Sequence, residues 1–375
     1  MKPLFFELGG ERKGIFAMSR WKLKCKLWRD RHSRALYKRR NSQRLQKKTV
    51  KILYENGGRR VIITVPKVFS FVKNTEGTMQ FIEQFKKIVV ESEKRTHIHV
   101  DSRSVKVVSV DALIYLLASI DNSKEFKQHT YTGSFPKNKT ARRTYIESGF
   151  IKYVQTYSIK NSQIPQPTRK MRIERGMKND STVIKDICDF VRNTLGFESI
   201  KSTAGLYTML IELLSNAVLH AYESESFLKG KWYIYAEQVH DYVRLVFADT
   251  GRGIPETVRK TFSEKVASII KKVLPINNNL KDGLLIESAL LGEFRTNTKE
   301  RHRGNGLDTV RRIVTSGGIR GFEVISGHGR CSINSNIGTG STKNIKVEGY
   351  AHKMYGTLYV FDIYGGTGYG KNKDL

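Results

Sequence analysis

The chain of 375 residues, of which 39% are hydrophobic, is long enough for two domains that each bury a core. Its 66 Lys and Arg against 35 Asp and Glu give a formal charge of +31, which favours an anionic partner: nucleic acid, an acidic protein or a membrane surface. No apolar run reaches the roughly 18 residues that span a bilayer, and no secretory signal is evident, so a membrane-spanning or secreted protein is not expected.

The three cysteines indicate the compartment. Cys25, Cys188 and Cys331 lie far apart, are odd in number and have no His or Cys at metal-ligand spacing. Neither a disulfide framework nor a zinc site is therefore expected, and a reducing cytoplasm is the predicted compartment.

Residues 1–49 are predicted to form a basic arm. Residues 1–50 contain 16 Lys and Arg but only three acids, and the cations are interleaved with apolar residues such as Trp21 and Trp28. One interpretation is a basic helix whose aromatic side docks on protein while its cations face phosphates. The other is a solvated arm without a particular partner. No familiar nucleic-acid-binding module appears, so base-specific recognition is not predicted.

Residues 50–157 show the alternation of strand and helix patterns that is typical of an α/β domain. The β-branched run 60–65 and the alternating run 96–101 predict strands. Apolar residues at helical spacing predict helices over 77–92 and 111–120.

This order of elements, with the turn at 133–136 and the segment 148–150, resembles the STAS domain of anti-sigma factor antagonists, and the resemblance implies recognition of a protein partner. In that family a phosphorylatable serine precedes the second helix. Here Asp111 occupies the nearest position and Ser109 aligns poorly, so a phosphorylation cycle on this domain is not expected.

His97 and His99 lie on the same face of the strand predicted over 96–101. No third ligand accompanies them, so a structural role is favoured over metal binding. Beyond this domain, the Pro- and Lys/Arg-rich stretch 158–180 is predicted to be a linker, and residues 182–195 are predicted to form a helix.

The helix predicted over residues 207–222 carries an unusual polar stripe. Glu212, Asn216 and His220 fall on one face of an otherwise apolar helix. Such polar groups cost free energy among apolar neighbours unless a polar partner meets them. The stripe is either a functional site or the wet side of a surface helix, and packing is slightly favoured for His220.

Two strands, predicted over 232–239 and 242–248, deliver Asp249 to the edge of a sheet, where Gly251 and Gly253 follow it. An aspartate at such a position could also cap a turn.

A long stretch over 256–303 follows, with a predicted helix over 258–273. Arg295, Arg301 and Arg303 near its end precede the run Gly304-Asn305-Gly306-Leu307, which opens another helix. Glycine-rich loops at helix starts bind phosphate through backbone amides. The cations could balance phosphate charge or belong to a mobile, solvated segment.

The remaining sequence predicts two further strands, 321–327 and 356–361, the second beginning with Gly356-Thr357. Residues 328–350 are interpreted as an inserted hairpin or loop. The tail from 365 to 375 is predicted to be flexible.

The segments around Asn216, Gly251 and Gly306 resemble, in this order, the N, G1 and G2 boxes of the ATPase superfamily of gyrase, the large heat-shock chaperone, histidine kinases and MutL, often called GHKL. The resemblance spans roughly residues 170 to 365 and implies that ATP and Mg²⁺ are bound. It implies that Asn216 ligates Mg²⁺ and that Glu212 is the general base. It further implies that Asp249 accepts a hydrogen bond from the adenine amino group and that ATP is also contacted by Gly251, Gly253, Gly304, Asn305, Gly306, Leu307 and Thr357, with Arg295, Arg301 and Arg303 as phosphate candidates.

The predicted fold is therefore α/β (α+β): a C-terminal Bergerat-type α/β sandwich that binds ATP, with an N-terminal STAS-like α/β domain. The predicted division is an arm (1–49), the STAS-like domain (50–157), a linker (158–180), the ATP-binding domain (181–364) and a tail (365–375).

The predicted function is an ATP-binding regulatory or effector protein. It would couple slow, Mg²⁺-dependent ATP hydrolysis or phosphotransfer to partner recognition, as an ATPase or a protein serine kinase, in bacterial stress or phage-defence signalling. The alternative is a nucleic-acid-binding protein whose basic arm carries the function and whose nucleotide pocket is a switch or vestigial. Protein partners are expected, nucleic acid at the arm stays open, and so does a homodimer.

Overall fold

The computed structural model describes residues 50–55, 58–93, 96–127, 129–154, 169–219, 230–263, 266, 280–294, 306–333 and 345–365. Several sequence predictions fall outside these residues: the arm of residues 1–49, the tail after Gly365, and the candidates His220, Arg295, Arg301, Arg303, Gly304 and Asn305.

The chain divides into two compact units, Met1–Leu53 and Tyr54–Leu375. Strand β1 (Val50–Glu55) crosses this division. The N-terminal part of the second unit is an α/β domain, in which β2, β4 and β6 pair in parallel and β3 pairs with β5. Its elements are β2 (Gly58–Thr64), β3 (Val68–Phe69), α1 (Thr75–Glu91), β4 (His97–Asp101), β5 (Val107–Val108), α2 (Val110–Lys127), β6 (Thr130–Ser134), α3 (Lys139–Glu147) and α4 (Phe150–Tyr153).

Both strands and both helices that the sequence predicts in this domain are present, and α2 extends beyond its predicted end. Helix α2 differs from α1 in its burial. One face of α1 is exposed, whereas every residue of α2 from Val110 to Asp121 is buried. A helix that is apolar all round must be covered on more than one side.

The C-terminal part of the second unit is built on an antiparallel sheet with strand order β10-β11-β9-β8-β7. Helices cover one face of this sheet, and its fold class is the predicted α/β sandwich. The elements are β7 (Glu174–Gly176), α5 (Ser181–Leu195), α6 (Ala204–Leu219), β8 (Trp232–Val239), β9 (Tyr242–Asp249), α7 (Ile254–Thr261), α8 (Lys281–Leu290), α9 (Gly306–Thr315), β10 (Ile319–Ile333) and β11 (Ile345–Tyr364).

Two local expectations need correction, and a third is decided between its two alternatives. The helix predicted over 258–273 begins earlier, at Ile254, with a proline in its first turn, and is interrupted at Phe262, whose φ of −132° is not helical. Ser263 and Val266 are helical again, and residues 267–273 lie outside the described residues. Of the two interpretations of 328–350, a hairpin or a loop, the described residues show the hairpin, because β10 and β11 pair as far as Ile333 and Ile345. Residues 174–176, at the end of the expected linker, form a strand paired with β8; the domain boundaries otherwise remain predictions.

Both faces of the large sheet are buried. Alternate residues such as Leu245 and Phe247 face the helices, whereas Tyr233, Val246 and Leu358 are buried without belonging to that helical core. Contacts of α2 with β9 and of α1 with β11 place the N-terminal domain over this second face. There the Tyr233 hydroxyl donates to the Asp121 carboxylate of α2 at 3.3 Å, which explains the all-round burial of α2.

Within the described ranges, no helix is long and apolar enough to cross a bilayer.

Candidate functional site

Asp249 lies at the end of β9, where the register pairs it with Thr357 of β11. The Gly251 backbone N–H donates to Asp249 Oδ1 at 2.9 Å. Thr357 donates to the same carboxylate through both its hydroxyl and its backbone N–H. These bonds fix the carboxylate, which is 9% exposed, so the structure brings together three of the predicted ATP-binding residues.

Burial raises the pKa of the Asp249 carboxyl to about 6, and the hydrogen bonds from Gly251 and Thr357 oppose this rise. The group is therefore mostly ionised at neutral pH. A buried, ionised and oriented carboxylate is a strong hydrogen-bond acceptor for a ligand N–H group.

Gly253 follows Asp249 with a φ of +84°, a conformation that favours glycine. A Cβ atom at this position would lie 2.5 Å from Ser326 Oγ and 2.7 Å from the Gly356 carbonyl oxygen. The backbone can follow this path only without a side chain, because the second obstacle is main chain and cannot move aside.

Ser326, on β10, is a residue that the sequence prediction missed. Its hydroxyl accepts from the Ile254 N–H at 3.0 Å and donates to the Gly356 carbonyl at 2.7 Å, and the side chain is fully buried. One hydroxyl thus joins the loop after Asp249 to the strand that carries Thr357. A small polar residue inside the apolar run Val324–Gly327 was the only signal in the sequence.

A second group of predicted residues meets between two helices. Glu212 and Asn216 are one turn apart on α6, and Gly306 is the first residue of α9, which packs against α6. A Cβ atom on Gly306 would lie 2.9 Å from Glu212 Oε2 and 3.2 Å from Asn216 Nδ2. The absence of a side chain therefore lets the start of α9 approach both polar groups.

The sequence of α6 explains why these groups face away from the core. Its apolar residues, among them Leu210, Leu213 and Leu214, are buried against the sheet, and helical periodicity then directs Glu212 and Asn216 to the other side. Leu307 packs partly buried against the same core. Its contact with ATP stays a prediction, while its packing anchors α9.

Glu212 and Asn216 are each partly exposed. Burial raises the pKa of the Glu212 carboxyl above its usual value. Among the described residues, neither side chain has a hydrogen-bond partner, in contrast to Asp249. The Asn216 amide oxygen is a hard ligand of the kind Mg²⁺ accepts beside phosphate oxygens and water. In the described part of the chain, no cluster of three or more His, Cys, Asp and Glu could hold a metal ion by itself.

Most of helix α7 and all of α8 lie in the long stretch 256–303. Asp282 of α8 is buried, forms an ion pair with Arg259 of α7 and accepts from the His328 N–H of β10 at 2.7 Å. Leu285 and Ile286 are core residues. Both helices are therefore part of the packed domain, whereas the cations Arg295, Arg301 and Arg303 lie outside the described residues.

The N-terminal domain contacts the elements that form the site. Two to five residues before Thr357, strand β11 meets α1. There His352 Nδ1 is hydrogen-bonded to the Glu83 carboxylate, and Lys86 Nζ lies 3.7 Å from the centre of the Tyr355 ring. The neighbouring Lys353 Nζ lies 3.2 Å from a carboxylate oxygen of Glu256 on α7.

The other candidate residues of the N-terminal domain have structural partners. His97 Nε2 and His99 Nδ1 each lie 2.8 Å from the Thr132 hydroxyl. Asp111 is buried at the start of α2 and accepts from the Phe71 N–H at 3.2 Å; burial raises its pKa to about 6.

Comparison with known families agrees with this geometry. Residues 202–349 match the family model described as "Histidine kinase-, DNA gyrase B-, and HSP90-like ATPase". These residues, from the turn before α6 into β11, form a GHKL-type ATPase domain. The match includes Glu212, Asn216 and Asp249 and ends before Thr357. No curated protein matches the chain at a significant level.

Proposed function

We propose that the protein is an ATP-binding regulator or effector that couples slow, Mg²⁺-dependent hydrolysis or phosphotransfer to recognition of a protein partner. The observation that carries this proposal is the buried Asp249 carboxylate, held by Gly251 and Thr357 in a domain of the GHKL ATPase type. The bacterial stress or phage-defence setting is part of the proposal and rests on family resemblance.

The Asp249 carboxylate explains a preference for adenine. It can accept a hydrogen bond from the exocyclic amino group of adenine, whereas guanine presents a carbonyl oxygen at that position. Two acceptors facing each other leave a buried charge unpaired, which costs more than the loss of one hydrogen bond.

At the other group of residues, Asn216 would ligate Mg²⁺ through its amide oxygen. When bound, the cation neutralises phosphate charge and orients the phosphates. The raised pKa of Glu212 makes it a better proton acceptor at neutral pH than an exposed glutamate. We therefore assign Glu212 to orienting and deprotonating the group that attacks the terminal phosphate.

Coupling to a partner is supported by the contacts of the N-terminal domain. Helix α1 touches β11 close to Thr357, and Lys353 of β11 touches α7 just after Gly253. A partner that displaces α1 would therefore act on both segments that flank Asp249. This is a route by which binding at the N-terminal domain changes the ATPase domain.

Calorimetry with ATP and GTP tests the adenine assignment. Asp249→Asn should weaken ATP binding by roughly 10- to 150-fold, because a charged hydrogen bond contributes about 1.5–3 kcal/mol. Asp241→Asn, which removes an exposed carboxylate at the other end of β9, is the matched control and should bind ATP like the parent. Unchanged ATP affinity in Asp249→Asn would refute the assignment.

Incubation with γ-labelled ATP separates hydrolysis from transfer. Free phosphate alone would identify an ATPase, whereas label on a neighbouring gene product would identify a kinase. Both products should require Mg²⁺, and both should be lost in Asn216→Ala if this residue holds the cation. Turnover that persists in EDTA would contradict the metal assignment.

A further inference from the structure

A second feature of the N-terminal domain lies apart from the nucleotide site. Three connections leave the carboxyl ends of β2, β4 and β6, which are at one edge of the parallel sheet. They are residues 65–69, 102–110 and 135–146, the last including most of α3. Parallel pairing alone places these connections side by side.

Backbone hydrogen bonds hold the three connections together. The Lys106 N–H donates to the Lys67 carbonyl at 2.8 Å, and the Lys137 N–H donates to the Arg103 carbonyl at 3.3 Å. The Asn138 side chain caps α3 by accepting from the Ala141 N–H at 3.0 Å. Main-chain bonds therefore fix the backbone of Lys67, Arg103, Lys106 and Lys137 without using their charged side chains.

The charge on these connections is of one sign, and the nearest acids, Asp101, Asp111 and Glu147, adjoin their ends. Together the three ranges contain seven Lys and Arg and no Asp or Glu. All seven side chains are exposed. We call them the sheet-edge basic surface: Lys67, Arg103, Lys106, Lys137, Lys139, Arg142 and Arg143.

Most of this charge is not neutralised by neighbours. Arg103 pairs with Asp101 and Arg143 with Glu147. Among the described residues, the other five members have no ion-pair partner. Like charges held close together on a fixed backbone repel one another, and an anionic ligand relieves this repulsion.

The surface lacks the features of an apolar docking site. Among the described residues of the three connections, Val107 is the only large hydrophobic residue that is exposed, at 36%. The Arg142 guanidinium carbon lies 5.1 Å from the centre of the Phe135 ring, an arrangement that supports the cation by cation–π attraction. Several cations spread along an edge, with little apolar area, suit a partner with regularly repeated negative charge.

We propose that the sheet-edge basic surface binds the phosphate backbone of a nucleic acid. Contact with phosphates positions a nucleic acid without reading its bases, so binding is independent of sequence and sensitive to salt. The proposal concerns the folded N-terminal domain and depends neither on the basic arm nor on ATP binding.

The test compares two triple variants of the full chain. K106A/K137A/K139A removes three cations of the surface, whereas K178A/K185A/K201A removes three exposed lysines elsewhere and changes the net charge equally. Binding to a 30-base-pair duplex, and to an RNA strand of the same length, is measured by fluorescence anisotropy from 50 to 300 mM salt.

For the duplex, the surface variant should lower the slope of log affinity against log salt by about two to three, since each phosphate contact contributes about 0.9. Affinity near 0.1 M salt should fall at least about tenfold. The control variant should keep the parental slope, and K106R/K137R/K139R should restore it because the charge is retained. The RNA arm shows whether single strands are bound by the same contacts.

Three results would overturn the proposal. One is an unchanged slope in K106A/K137A/K139A on both nucleic acids. Another is an equal loss in both triple variants, which would mean that only net charge matters. The third would come from vesicles that contain phosphatidylserine, measured over the same salt range. If K106A/K137A/K139A lost affinity for these vesicles and kept it for both nucleic acids, the surface would be assigned to a membrane. Melting temperature and ATP affinity should match the parent throughout, so that a folding defect is detected separately.

Discussion

The two parts of the proposed ATP site differ in how many of their polar groups are bonded within the protein. At the adenine part, Asp249 is bonded to Gly251 and Thr357, and Ser326 is bonded on both sides. At the phosphate part, Glu212 has no hydrogen-bond partner among the described residues, and the same holds for Asn216. The carboxylate of the adenine part is therefore held in place by the protein, whereas no described residue holds the Glu212 or Asn216 side chain.

The difference follows from the elements that build each part. The adenine part lies where β9, β10 and β11 are joined by a fixed ladder of backbone hydrogen bonds. The phosphate part lies between α6 and α9, which are held by side-chain packing. A strand register fixes backbone groups directly, whereas helix packing leaves long side chains such as that of Glu212 free to respond to charge.

The comparison predicts its largest effect at Glu212. Glu212→Gln should keep ATP affinity within about twofold of the parent, because no preformed contact is lost, while turnover should fall by about 100-fold or more, as is usual when a general base is removed. Phosphate release under saturating ATP measures this. Glu198→Gln, at an exposed position, is the control; equal turnover in Glu212→Gln and the parent would deny Glu212 that role.

A smaller effect is expected from the titration of Asp249. Burial raises its pKa to about 6, and only the ionised form accepts the adenine amino proton without rearrangement. Affinity should therefore be full above that pKa and fall as the pH drops through it, by about tenfold between pH 7 and pH 5. Adenosine is the suitable ligand, because it carries no phosphate that titrates in this range.

Protein stability and adenosine affinity should depend on pH with opposite signs through Asp249. The folded protein holds the Asp249 proton more tightly than the unfolded chain does, since its pKa is raised from 3.8. This contribution to stability is therefore fully present below that value and is lost as the pH rises through about 6. Adenosine binding must follow the opposite trend, and pH-independent adenosine affinity would contradict the role of Asp249.

Much of the site could be predicted from the sequence because its spacing is local. Glu212 and Asn216 are four residues apart, so they lie on the same face of any helix. Asp249 comes directly after an apolar run that predicts a strand, so its place at the end of that strand is predicted as well. The family resemblance supplied Thr357, more than 100 residues away, and the register of β9 with β11 places it beside Asp249.

Ser326 could not be predicted in the same way. Its contacts depend on the pairing of β10 with β11, whose register shifts between Ser326 and Gly327. A shift of this kind changes which residues face each other and leaves no periodic signal. Short strands such as β3 and β5 were missed because two residues are too few to show a period.

One apolar run in the sequence indicates that the N-terminal domain packs on a second layer. The run from Val108 to Ile120 contains one charged residue, Asp111, and two serines, and the helix it forms is buried from Val110 to Asp121. A run of this kind predicts a helix between two layers. It does not tell which second layer covers the helix, because that depends on residues far away in the chain, such as Tyr233.

The smallest effect is expected at Gly306. Gly306→Ala places a Cβ atom against the ends of the Glu212 and Asn216 side chains, which can move aside by a few tenths of an ångström. We expect an unchanged melting temperature, unchanged adenosine affinity and a several-fold lower turnover. A lower melting temperature in Gly306→Ala would show that the adenine part is no more rigid than the phosphate part.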